Sequence, residues 1–124
     1  TRDCMEQIRR VWRMSIDTCL LDREKRAFST ELFALGVHDP EIRASWAQFY
    51  DAVRELYVGL VRAACNAGEL EVKDPRVTVE WVLAAFEGIK HRASFQGQTH
   101  TTAERDAMVD VLMRIVNAAS EASV

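Results

Sequence analysis

The chain has 124 residues, 48% hydrophobic and 28% charged, which suits one globular domain with a sizeable core. A net charge of -3 argues against a nucleic-acid-binding surface on these residues, and no apolar run approaches the roughly 18 to 20 residues that span a bilayer. Cys4, Cys19 and Cys65 match no metal knuckle or redox pair and read as reduced thiols of a cytoplasmic protein, and nothing at the start reads as a signal peptide.

The pattern predicts five helices and no strand. The first runs from about Asp3 to Leu21, with Met5, Ile8, Val11, Trp12, Ile16 and Cys19 inward and Glu6, Arg9, Arg10, Arg13 and Asp17 outward. Ser15 falls in its apolar face, where its hydroxyl either bonds back to the carbonyl four residues earlier or faces a cavity. Asp22 caps a second helix, from about Arg23 to Leu35, with Phe28, Leu32 and Leu35 as its stripe, Phe33 to one side and Gly36 as its stop.

Asp39 and Pro40 start a third helix that runs to about Ala67 and closes on Gly68. Its inner face carries Ile42, Trp46, Phe49, Tyr50, Val53, Tyr57, Leu60, Val61 and Ala64, opposite the polar Gln48, Asp51, Glu55, Arg62 and Asn66. Asp74 and Pro75 repeat the start signal for a fourth helix, which extends to about Gln96 and stops at Gly97.

This fourth helix has two apolar faces. Val79, Val82, Phe86, Ile89 and Ala93 share one, while Val77, Trp81, Ala84, Gly88, His91 and Phe95 share the other. Only a strip holding Arg76, Glu80, Glu87 and Ser94 is left for water, so the helix needs two partners. Thr101 and Glu104 form a capping box for a fifth helix, about Thr102 to Ala119, followed by a small polar tail that frays. Its stripe of Met108, Val111, Leu112, Ile115 and Ala119 is widened by Val109, Met113 and Val116 to about half the circumference. The last two helices thus carry more apolar surface than one small bundle hides, which points to a homodimer.

The run from Cys65 to Lys90, CNAGELEVKDPRVTVEWVLAAFEGIK, resembles a junction of TetR-type transcriptional repressors: a long helix ending in an AG-x-L turn, an acidic connector, an Asp-Pro cap, then a helix with small residues. The turn from Asp22 to Arg26 and the short helix ending near Gly36 are similar to the opening of the regulatory domain in the AcrR-like, multidrug-efflux subgroup. The resemblance implies an all-α, five-helix regulatory domain whose last two helices form a four-helix dimer interface with a second copy. It also implies a cavity for a small hydrophobic or aromatic effector, and DNA binding only through an N-terminal helix-turn-helix domain that these residues do not include.

On that reading Trp81, Ala84, Gly88, His91, Phe95, Met108, Val111, Leu112 and Ile115 face the partner copy. The effector is expected among Trp12, Ser15, Cys19, Phe28, Leu32, Trp46, Phe49, Tyr50, Val53, Tyr57, Phe86, Ile89 and Lys90, a set of aromatic walls with a few polar groups. No catalytic residue, metal ligand or cofactor is assigned. His38, His91 and His100 lie far apart in the sequence, and no phosphate loop or nucleophile motif is present. The rival reading is a ligand-free helical bundle that docks another protein.

Overall fold

The computed structural model describes residues 3–20, 22–96 and 100–123, and of these the side chains of 19, 20 and 119–123 are not described. Within them the chain is all-α: α1 (Asp3–Ser15) passes into a π-helical turn (Ile16–Leu20), then α2 (Arg23–Gly36), α3 (Pro40–Asn66), α4 (Pro75–Gln96) and α5 (Thr102–Ser123).

The termini form where the capping chemistry is written. Asp22 accepts from the Lys25 amide at 3.0 Å, and Asp39 accepts from the amides of Glu41 and Ile42 at 2.9 and 3.2 Å. Thr101 and Glu104 exchange amide-to-side-chain bonds, both 3.1 Å. Gly68 closes α3 at φ 76, and the amide of Glu69 reaches back to the Ala64 carbonyl at 3.0 Å. The Gly97 stop falls outside the described residues. The N-terminus of α1 is capped from far along the chain: the Glu69 carboxylate accepts from the amides of Cys4 and Met5 at 3.0 and 3.2 Å. The same carboxylate, by hydrogen bond, pushes the Cys4 thiol above its ordinary pKa.

The core lies where α1, the C-terminal half of α3, α4 and α5 meet. Ile8, Trp12, Ile16, Val58, Val61, Val79, Val82, Val109, Leu112 and Val116 are wholly buried there, each with several apolar neighbours.

Several expectations are corrected. The first helix does not stay α-helical to Leu21; it widens into the π turn after Ser15. The outward face of α1 is where it was expected, and it carries exposed ion pairs to α5: Arg9 pairs with Asp110 at 2.8 Å, and Arg13 pairs with Asp106. The polar strip of α4 is open to water at Arg76 and Glu80, as expected, and these two also pair with α3: Glu80 meets Arg54 at 2.9 Å, and Arg76 meets Glu55 at 2.5 Å. The stripe of α2 is not a core stripe, since Phe28 and Leu35 are exposed and the side chains that α2 buries include Arg26.

The rotation of α5 also differs from the expected one. Leu112 is 1% exposed in the chain's own core and so cannot face a second copy. An apolar arc covering half a helix leaves its rotation open. The pairs that Asp106 and Asp110 make with α1 turn Val109, Leu112, Met113 and Val116 inward and leave Val111 outside. The helix runs on to Ser123, past the expected end near Ala119.

Candidate functional site

Two polar-aromatic clusters stand out, one joining α1, α3 and α4 and the other joining α2, α3 and α4. The first is built at the end of α1. Ser15 Oγ donates to the Val11 carbonyl at 2.9 Å, the first of the two alternatives left open for this serine, and lies 2.6 Å from the Tyr57 hydroxyl. The Tyr57 ring packs against Phe86 with centroids 5.8 Å apart. One turn earlier on α1, Trp12 is fully buried and its indole Nε1 has no hydrogen-bond partner. A buried donor left in this state is uncommon and marks a place where an acceptor fits.

Just beyond Ser15, Asp17 of the π turn receives Arg13 at 3.1 Å and Arg105 at 3.0 Å. Burial pushes the Asp17 carboxyl up, but the hydrogen bonds from Arg105 and Arg13 outweigh that and hold it below its ordinary pKa.

The second cluster surrounds Trp46 of α3. Tyr50 stacks on it at 5.7 Å, and Phe33 and Phe49 meet it edge-on at 6.2 and 5.8 Å. The ammonium of Lys90 stands 5.6 Å from the Trp46 ring centroid and 3.6 Å from Glu87, whose other oxygen accepts from the Tyr50 hydroxyl at 2.8 Å. Burial first, and the Glu87 carboxylate second, hold the Tyr50 phenol well above its ordinary pKa, so it remains a donor.

Beside this cluster lies an open groove of about 200 Å³ bounded by Phe33, Gly36, Val37, Arg43 and Trp46. Gly36 makes the close approach possible, since a Cβ there would lie 3.2 Å from Trp46 Cδ1. Arg43 closes the end of α2 by donating to the carbonyls of Gly36 and Val37 at 3.2 and 3.1 Å.

Of the expected effector residues, Trp12, Ser15, Tyr57 and Phe86 lie in or against the core near the π turn, and Trp46, Phe49, Tyr50 and Lys90 form the second cluster. Leu32, Val53 and Ile89 are half-buried, the Cys19 side chain is outside the described residues, and Phe28 stands 64% exposed. Sequence reasoning did not assign Phe33, Glu87 or Arg26. Glu87 was detectable as the residue one turn before Lys90. Arg26 carried no such signal, because a charged residue in a first turn ordinarily faces water.

Of the residues expected to face a second copy, Trp81 and Phe95 are 67% and 79% exposed, and Ala84, Gly88, His91 and Val111 are exposed as well. His91 packs edge-on against Phe95 at 4.9 Å, and Met108 and Ile115 are half-buried. Among the described residues no group of three or more His, Cys, Asp or Glu is placed to hold a metal ion, and no helix is long and apolar enough to cross a membrane.

No curated protein and no solved structure matches the chain. A family model described as the C-terminal part of BetI-type transcriptional repressors matches residues 5–119.

Proposed function

We propose that this chain, which belongs to the family of C-terminal domains of BetI-type transcriptional repressors, senses a small effector and dimerises, so that binding controls DNA recognition by a separate N-terminal domain. TetR-type regulatory domains are not an enzyme family, and no residue here is assigned a catalytic role. Placement in the AcrR-like efflux subgroup rests only on the turn from Asp22 to Arg26 and the helix ending at Gly36, whereas the matching family model is of the BetI type. A regulator of this kind acts on DNA in the cytoplasm.

The observation that carries the reading is the division of α4. Its inner face buries Val79, Val82, Phe86 and Ala93 in the core, and Phe86 touches Tyr57. Its outer face leaves Val77, Trp81 and Phe95 in solvent, and a Cβ on Gly88 would meet nothing within 4 Å. A row of exposed large apolar side chains on a rigid helix favours a covering partner. A second copy covers it in a self-complementary way, and Ala84 and Gly88 let two such helices approach closely. One helix then borders both the effector space and the partner.

Sedimentation tests this directly. The protein is expected to be dimeric at micromolar concentration, and Gly88→Leu is expected to be monomeric with its helical content preserved. A wild-type monomer at that concentration removes the dimer from the reading. On the inner face Phe86→Leu, which keeps the core filled, should weaken effector binding while the dimer persists. The rival reading, a ligand-free docking module, predicts no thermal stabilisation by any small molecule together with a stable complex with a different protein.

A further inference from the structure

Resting on the reading that the domain senses a small effector, we infer that this effector is a planar aromatic acid. Its rings would occupy the groove between the end of α2 and the start of α3, and its carboxylate would meet the guanidinium of Arg43. The groove of about 200 Å³ is bounded by Phe33, Gly36, Val37, Arg43 and Trp46. An apolar cavity of about 150 Å³ admits one benzene ring, so this space suits two fused rings better than one. Phe33 and Val37 are half exposed or more, so the groove opens to solvent and a ligand enters without unfolding the domain.

The walls favour a flat occupant. Phe33 and Trp46 stand at 69° to each other with centroids 6.2 Å apart. A planar ring laid parallel to either one meets the other nearly edge-on, and both arrangements are favoured between aromatic rings. Gly36 adds no side chain to this narrow place, where a Cβ would lie 3.2 Å from Trp46 Cδ1 and 3.3 Å from Ile42 Cγ2.

The polar end is set before any ligand arrives. Arg43 donates through Nε to the Gly36 carbonyl and through Nη2 to the Val37 carbonyl, at 3.2 and 3.1 Å. These bonds hold the plane of the guanidinium and leave Nη1 to solvent, with no protein partner among the described residues. Asp39, one turn before Arg43, is committed to the amides of Glu41 and Ile42. An arginine waving in water selects little, but one already pinned at the rim of an apolar groove loses little freedom on meeting a carboxylate. Lys90, the cation over Trp46, has Glu87 as its counter-charge at 3.6 Å, which leaves Arg43 as the unpaired cation of the two. Lys90 also lies one turn after Phe86, so it ties the indole of the groove to α4.

The test is titration calorimetry and thermal unfolding with 2-naphthoate, set against 2-naphthamide, 2-naphthylmethylammonium and decanoate. The aromatic acid should bind at least ten times more tightly than the amide and the amine, and at least three times more tightly than decanoate. Arg43→Gln should weaken 2-naphthoate at least tenfold and leave the amide within twofold. Arg43→Lys keeps the charge without the fork and should cost the acid at least threefold, which holds the test open should the glutamine variant not fold. Val37→Trp fills the groove from an exposed position without touching the charge, and should weaken acid and amide alike at least tenfold. Equal or tighter binding of the amide or amine overturns the acid assignment, and equal binding of decanoate overturns the ring; either leaves the effector reading standing. Acid affinity unchanged in Val37→Trp, or in both Arg43 variants, removes the site from this groove. Binding of no compound in the series overturns the inference, whereas the effector reading falls only if small molecules of every class fail to stabilise the domain.

Discussion

Where α1, the C-terminal half of α3, α4 and α5 converge, modest side chains such as Ile8, Val58, Val61, Val79 and Val116 are wholly buried. At the other end of the molecule, around α2 and the N-terminal half of α3, larger side chains (Phe28, Phe33, Leu35, Val37 and Phe49) stand half exposed or more. The two regions differ less in apolar content than in how many helices meet. Four helices enclose the first, whereas α2 lies chiefly against α3 and touches α4 and the π turn more lightly. An apolar face is buried only when an element arrives to cover it, so the end where four helices meet is closed and the end built on α2 is open.

The largest expected effect breaks the closed end. Ile8→Ala removes a fully buried side chain among tightly packed neighbours and should cost about 2–5 kcal/mol in urea unfolding. A cost below about 1 kcal/mol would mean the closed end relaxes like the open one.

What the sequence revealed follows the same division. Helix starts and stops depend on local chemistry, so Asp22, Asp39, Thr101 with Glu104, and Gly68 could be read in place. The two faces of α4 were also readable, because Val79, Val82 and Phe86 recur at helical spacing and Trp81 and Phe95 recur opposite them. Rotation was not readable where the apolar arc is wide: Leu112 turns inward because Asp106 and Asp110 reach α1, and nothing in α5 alone says so. Nor does α2 announce that Phe28 will lack a cover while Arg26 is buried, since both depend on how far the helix overlaps its neighbours. The π turn after Ser15 left no sequence trace that separates it from ordinary helix.

At the boundary between the two regions, Ser15→Ala removes the hydroxyl that links α1 to Tyr57 on α3 at 2.6 Å. A stability loss of about 1–2 kcal/mol is expected. In a double-mutant cycle with Tyr57→Phe the two losses should add to more than the double variant shows, because both remove one interaction. Strict additivity would separate the hydroxyl pair from stability.

A smaller effect is set by pH. Asp17 has its folded pKa held below the unfolded one, so it contributes stability above the ordinary carboxylate range, and that contribution disappears as pH falls through the folded value. Asp17→Asn should therefore lower the unfolding midpoint at neutral pH, and the gap between variant and wild type should close in acid. A gap that persists at pH 2 would assign the loss to packing of the π turn and not to the pairs with Arg13 and Arg105.

The smallest expected effect is the sharpest probe of the comparison. Phe28→Ser replaces an aromatic ring that is 64% exposed, at a position of α2 where nothing covers it. Little apolar surface is lost from burial, and helix propensities of Phe and Ser are close, so stability should change by no more than about 0.5 kcal/mol. The same kind of substitution at Phe86, buried against Tyr57, removes a whole ring from the closed end and should cost about 3–5 kcal/mol. If both substitutions cost the same, Phe28 is covered in solution by something that brings a third surface to α2, and the open end is then an interface. If they differ as expected, α2 is the loosely held wall of the domain.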